Sequence, residues 1–509
     1  MAPAFGVRLA RACSDLVTPT DRFDRDERAA LTARLSTALT PYAPHVAVLD
    51  SIRALEQPST CVALATARPG LFGSTLDALY AALHVVRLSQ VHSRTSSQPF
   101  IPLLWIDTDK EPTRDSYEAT FHSADHLPQR VSLPANYAAA ETDSVRACLA
   151  QLLGHEPGLD EALELLSPRP GEHVASTLKR VLLEVFGSSG LLVCSPSDLR
   201  TDISHFLAQV IAAKPNQLLQ QSSAQLAANN FLAHEHPLYP VLVQCTEDGK
   251  TQPLHSGRDG FCYADEPGSR TAAELAAEIV QAPDAFVPGQ ALLPLVQDLV
   301  LPVAVRVVDR ETLYSEATLD ALRSALDAPR APLVPRLSCT LVDAATRESL
   351  AKLDLSVRAL GSLGSLGSLG SACPPGKQLE ADSPAQALKE AVEEFRALSK
   401  ATTESLHRIA RPLWEFDPVL RPVARRSARD LRRTLDRLCE KAENVLGTRD
   451  GQFARHQRRV NSVLVPNGFP QESVEYLLTW LAPSGPAWIH ELLGELDPFG
   501  WEHLVVNFP

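Results

Sequence analysis

Apolar positions along the N-terminal part of the chain fall into short unbroken runs separated by helical stripes. Residues 26–55 carry helical periodicity, and the first strong strand is the run at residues 61–66. A glycine-containing turn at 68–73 follows, then a helix over 74–89 and a second strand over 100–106. Strand, turn, helix, strand is a βαβ unit, which implies a parallel sheet covered by helices. The alternation continues with a strand at 190–194 and a helix at 198–213. Residues 239–245 and 260–263 read as a small hairpin around Glu247–Lys250. Residues 299–308 read as a buried strand and 338–342 as another. Helices at 141–153, 174–186 and 319–326 separate them, so the core is expected to be α/β.

The pattern then changes. Residues 360–376 repeat Gly-Ser-Leu three times and end in Cys373-Pro-Pro-Gly376, the composition of a flexible linker. Beyond it, Leu388, Val392, Phe395, Thr402, Leu406, Ile409 and Leu413 approximate alternating four- and three-residue steps. Ala424, Ala428, Leu431, Leu435, Leu438, Ala442 and Val445 keep those steps unbroken. This predicts two antiparallel helices joined across the Pro412, Pro418 and Pro422 region, forming a coiled-coil arm. The expected division is a core over 1–359, a linker over 360–383, the arm over 384–463 and a C-terminal segment over 464–509 that packs back on the core.

A chain of 509 residues exceeds one ordinary domain, and its 45% hydrophobic content suffices for a large core. The net charge of -13 argues against a general binder of nucleic acid or anionic membrane. Residues 425–459 depart from that balance, with eleven Lys or Arg against five Asp or Glu. Such a helix either contacts phosphates or is the solvated flank of a coiled coil. The most apolar window, 291–308, contains Gln297, Asp298, Arg306 and two prolines, which is not a membrane span. The first 17 residues lack an apolar leader core, and a cytoplasmic location is expected. Nine dispersed cysteines without a Cys-x-x-Cys pair argue against a disulfide scaffold or structural zinc. Cys61, Cys194, Cys245 and Cys339 sit in apolar runs and read as buried, inert thiols.

The most informative local feature is the first βα turn, where Gly70 and Gly73 flank Leu71-Phe72 and Ser74 and Thr75 stand at the helix start. A helix start after a parallel strand suits a phosphate or carboxylate, although the spacing matches neither a P-loop nor a dinucleotide fingerprint. The second strand ends in Trp105-Ile-Asp-Thr-Asp-Lys-Glu111, and carboxylates at such strand ends face either a ligand crevice or solvent. His234 and His236 lack a third partner in view, so no metal is expected. Neither a Gly-x-Ser-x-Gly elbow nor a His-Glu-x-x-His motif is present.

Taken in order, these pieces resemble the bacillithiol-biosynthesis cysteine-adding enzyme family. The blocks carrying the resemblance are 67–73 through Leu76 and Tyr80, 101–106, 190–196, and 294–298 with Leu301-Pro302. Pro335-Arg-Leu-Ser-Cys-Thr-Leu341, 464–472 and His503 complete the set. The resemblance implies a Rossmann-like core with inserted connecting segments and a dimerising coiled coil. It further implies ligation of L-cysteine to the amine of glucosaminyl-malate, with ATP or ADP as the expected nucleotide; the residues themselves show no evident metal site and argue against a membrane or nucleic-acid partner. Asp109, Glu311 and Gln297 then fall at catalytic positions. Gly70, Phe72, Gly73, Ser74, Trp105, Asp298, Tyr314, Arg336, Ser338, Gln471 and Glu472 fall at positions that bind substrate or nucleotide. The chain departs from the family pattern at Thr66, Ala67, Arg68, Ala81, Lys110, Pro112 and Ser473. Three readings follow: a divergent cysteine ligase, a ligase for another amine or amino acid, or a non-catalytic relative acting as a scaffold.

Overall fold

Five short apolar strands, almost wholly buried, form the parallel sheet at the centre of the first part of the computed structural model. The structure describes residues 23–95, 99–108, 118–122, 128–132, 147, 149–150, 158–169 and 171–228. It further describes 242–245, 251–256, 260–263, 270–309, 316–357, 420–466, 470–500 and 502–508, with single helical positions between 393 and 412. The sheet strands are β1 (Cys61–Ala67), β2 (Phe100–Ile106), β3 (Leu192–Cys194), β4 (Val303–Val308) and β5 (Leu333–Pro335), and helix α1 (Leu76–Thr95) lies between β1 and β2. Their order is β5-β4-β1-β2-β3, with every neighbouring pair parallel. Continuous apolar runs suit such strands because helices cover both faces. The chain moves outward from β1 through β2 to β3, then returns to β4 on the other side. The order therefore reverses between β1 and β4, and ligands of open α/β sheets bind outside the carboxyl ends at such a point.

Three details differ from the sequence expectation. The apolar run at 299–308 is not one strand, because helix α2 (Leu293–Val300) ends there and Pro302 separates it from β4. Strand Leu242–Cys245 pairs with Thr251–Ser256 rather than directly with Phe261–Tyr263, and Phe286–Pro288 completes a four-stranded antiparallel sheet. Polar Thr251-Gln-Pro-Leu-His-Ser hides a strand because pairing, not hydrophobicity, defines it. Finally, the strand expected at 338–342 forms as Cys339–Val342 but outside the parallel sheet, which ends with β5, a three-residue strand that follows Pro332 and ends in Pro335.

Arg306 occupies the middle of apolar β4 and is buried, so its charge must be matched internally. It donates to Asp298 Oδ1 and to Gln297 Oε1, both on α2, and to the Pro294 carbonyl at 2.8 Å. Arg323, on α3 (Asp320–Ala325), donates to Asp298 Oδ2 at 2.6 Å and to Glu316 Oε2 at 2.9 Å. Arg306 Nε lies 3.3 Å from Glu316 Oε1, which closes a ring of two cations and two anions. Burial alone pulls the Arg323 pKa down, but Asp298 and Glu316 more than offset it and leave it raised.

The chain divides into two compact units. The first comprises Met1–Ala124, Pro128–Thr340 and Gln471–Val506, so the last helices belong to the unit that contains the sheet. The second contains Leu341–Pro470 and is built on α4 (Ala344–Lys352) and α5 (Leu420–Leu464), a helix of 45 residues. Val460 and Leu464 of α5 pack with Val342, Leu350 and Leu353, while Arg459 donates to Asp343 at 2.9 Å. Pro422 lies inside the first turn of α5 rather than ahead of it, which a helix tolerates because first-turn amides have no intrahelical acceptor. On the seam, Leu431 and Leu438 are exposed in the single chain. Among the described residues, no helix is long and apolar enough to cross a membrane.

Removing one member of the buried ring should leave uncompensated charge. Asp298→Ala is expected to lower stability by about 3–5 kcal/mol, read as a fall in the urea midpoint. A loss below about 1 kcal/mol would show that the ring is not intact.

Candidate functional site

The turn after β1 sits at the carboxyl end of the strand beside the reversal, and its backbone is unusual. Phe72 (φ 49°, ψ 46°), Gly73 (φ 81°) and Ser74 (φ 68°, ψ −174°) are three consecutive residues with positive φ. The Ser74 conformation belongs almost exclusively to glycine, at a cost of order 1–3 kcal/mol that the surroundings must offset. The Phe72 ring is buried edge-on against Phe121 with centroids 5.7 Å apart, and Phe121 in turn contacts Tyr476. Ser74 Oγ donates to the Arg68 carbonyl at 2.9 Å, and Ser74 N to Leu71 O at 2.9 Å. Leu76 N donates to Glu475 O, and Leu477 N donates to Ser74 O. At least part of the helix-start capacity expected to hold an anion is thus taken by the protein's own chain. Gly73 is required twice over, by its φ and because a Cβ there would lie 2.8 Å from a Leu166 methyl.

A second group forms beyond β5. Arg336 donates to Glu472 Oε1 at 3.0 Å, and Glu472 Oε2 accepts from Cys339 N at 3.0 Å. Glu472 lies on the short helix α6 (Gln471–Val474), where Gln471 is also buried. Ser338 and Thr340 hold the two ring nitrogens of His503, each at 2.8 Å. His84, on the helix Leu76–Thr95 that follows the turn, accepts from Leu337 N through Nδ1 at 2.9 Å. Its Nε2 therefore carries the proton and donates to Pro498 O at 2.8 Å. Burial, assisted by the Arg336 charge and opposed by the Pro498 carbonyl, lowers the His84 pKa to about 4. Tyr80, one turn earlier, is fully buried beside Cys339, and burial raises its pKa well above the usual value.

Between the two groups, at the reversal itself, Gln297 Nε2 donates to Thr66 Oγ1 at 3.2 Å. Trp105 of β2 is the register partner of Thr66 and is fully buried. Of the residues expected at the site, Gly70, Phe72, Gly73 and Ser74 build the turn, and Gln297 and Trp105 adjoin the end of β1. Arg336, Ser338, Gln471 and Glu472 form the second group. Both Asp298 oxygens are committed to guanidiniums, which makes this carboxylate an anchor. Asp109, Glu311 and Tyr314 lie outside the described residues, as do His234 and His236. Cys61, Cys194 and Cys339 are buried thiols outside any disulfide, and burial raises their pKa, as their apolar runs implied, while the Cys245 side chain lies outside the described set.

Sequence reasoning missed Arg306, Arg323, Glu316 and His84. A signal existed for two of them: an arginine inside Val-Ala-Val-Arg-Val-Val and a histidine inside an apolar helix each demand a buried partner. No group of residues suited to a metal occurs among the described residues.

Comparison with known proteins adds the family. Residues 11–310 match the family described as bacillithiol biosynthesis BshC, N-terminal Rossmann-like domain, and residues 376–508 match its C-terminal coiled-coil domain. Relatives carry the provisional name cysteine ligase BshC. One from Koribacter versatilis is 23% identical over 82% of this chain and 78% of its own length. One from Shouchella clausii is 26% identical over 62% and 61%, and one from Solibacter usitatus is 23% identical over 92% and 88%.

Two outcomes test this geometry. Gly73→Ala should cost about 1–3 kcal/mol, seen as a lower urea midpoint, and an unchanged midpoint would refute the strained turn. For His84 the unfolded pKa of roughly 6.5 exceeds the folded value, so the unfolded state binds the extra proton. Its contribution is complete above that unfolded value and declines as pH falls toward about 4, a loss on the order of 3 kcal/mol. The fall in stability between those pH values should be shallower in His84→Gln than in the parent; equal slopes would contradict the assignment.

Proposed function

This chain belongs to the BshC family of bacillithiol biosynthesis, and we propose that it joins the carboxyl group of L-cysteine to the amine of glucosaminyl-malate. The observation that carries the reading is a clamped, strained glycine turn at the carboxyl end of β1, beside the strand-order reversal, the kind of place where open α/β sheets bind their ligands. Holding a turn in a glycine-only conformation costs stability, and such strain is typically kept where a ligand is fitted.

The reaction forms one C–N bond between the cysteine carbonyl carbon and the substrate nitrogen. A carboxylate oxygen departs with an activating group, and the nitrogen gives up a proton. ATP, when bound, supplies that leaving group. Exposed Arg426, Arg433, Arg437 and Lys441 on α5 give the second unit a cationic face suited to phosphates. Asp109 and Glu311, which follow β2 and β4, are assigned to orienting the amine and accepting its proton. Gln297 positions the end of β1 rather than reacting. The exposed seam leucines of α5 support a homodimer through the coiled coil. A second reading, ligation of a different amine, is favoured by exposed Arg68 at the turn. An extra cation there would select a more acidic acceptor.

Deleting the gene and profiling thiols by derivatisation and mass spectrometry tests the proposal. Loss of bacillithiol with accumulation of glucosaminyl-malate is expected. Unchanged bacillithiol would overturn the assignment.

A further inference from the structure

Thr66 is the one exposed side chain of β1, between buried Ala65 and Ala67, at the carboxyl end of the strand beside the reversal. Its hydroxyl has a fixed polarity. Arg306 can only donate, so the Gln297 atom that meets it must be the amide oxygen, and the amide nitrogen must face Thr66. That nitrogen in turn only donates, so Thr66 Oγ1 accepts and its own hydrogen must point away from Gln297. Among the described residues nothing accepts that hydrogen. A second polar hydrogen lies on the same face of the sheet. Trp105 is the register partner of Thr66, and paired residues of a parallel sheet share a face. Its indole N–H is fully buried and meets no acceptor among the described residues. Leaving such a donor unsatisfied is costly, and native structures rarely do so without a reason.

We propose that Thr66 is a ligand-binding residue whose hydroxyl, aligned by the Arg306–Gln297 relay, donates a hydrogen bond to a carboxylate or phosphate oxygen of the substrate. The proposal deepens the ligase reading and rests on it for the identity of the anion. Arg306 and Gln297 act as positioning residues: the ring of buried charges fixes the guanidinium, the guanidinium fixes the amide, and the amide fixes the hydroxyl. Position 66 thereby becomes a determinant of specificity, because a residue without a hydroxyl would leave Gln297 Nε2 without its acceptor and would remove the aligned hydroxyl donor.

The test uses the full chain, with Thr66→Val removing the donor at constant shape and Thr66→Ser retaining it. Binding of L-malate and of ADP is measured separately by titration calorimetry, and folding is checked by the urea midpoint. The parent should bind at least one probe. Thr66→Val should weaken that probe roughly tenfold or more, while Thr66→Ser stays within about threefold of the parent. Selective loss of malate identifies the carboxylate as the acceptor, and selective loss of ADP identifies the phosphate. Equal binding by Thr66→Val, equal loss in Thr66→Ser, or no binding of either probe by the parent overturns the proposal. If cysteine-adding activity is absent but Thr66→Val still loses a probe selectively, the ligase reading fails and this inference stands.

Discussion

Two guanidiniums and two carboxylates share a buried space where β4 meets α2 and α3, and the candidate site is built outward from them. None of the four could be buried alone, since an isolated ion in a low-dielectric interior costs several kcal/mol or more. Together they are neutral, and each oxygen has a cationic partner. Such a ring contributes little net stability over an apolar core, but it tolerates only one arrangement. That arrangement ties Asp298 and Gln297 on α2 to β4. It also joins Arg306 to Glu316, the residues on either side of the segment that carries Glu311 and Tyr314. The register of α2 against the sheet, and hence the direction in which Gln297 faces, follows from charge pairing rather than from hydrophobic packing.

The other half of the site depends on a different constraint. Three successive positive φ values after β1 would not persist in an isolated peptide. Phe72 is held by Phe121, Gly73 by the approach of Leu166 and Leu477, and Ser74 by the chain at 475–477. The C-terminal segment is therefore part of the turn, although some 400 residues separate them in sequence. The Arg336–Glu472 pair fixes the start of that segment, and His84 fixes Leu337 beside Arg336. Strain at the turn and ion pairing beyond β5 belong to one mechanical unit.

Much of this was readable from local pattern. The strands at 61–67 and 100–106 were legible because both faces are largely buried and every position but Thr66 is apolar. The glycine turn was legible as a turn, and the three buried cysteines as inert, since burial follows from strand membership. Other features were hidden for physical reasons. β5 is too short to show a period, and the boundary between α2 and β4 lies within one apolar run where helix and strand look alike. The partners of Arg306 lie eight to twelve residues away across a chain reversal, and the Gln297–Thr66 bond spans 231 residues. No local pattern contains it. Thr66 first registered only as a departure from the family pattern, whereas the structure shows it as the acceptor of the Gln297 amide.

The most direct test is reconstitution with the purified full chain, L-cysteine, glucosaminyl-malate and ATP, with products resolved by mass. The account predicts one thiol product with the mass of the two substrates less one water, absent when any component is omitted. A folded chain that binds glucosaminyl-malate yet yields no such product would contradict it.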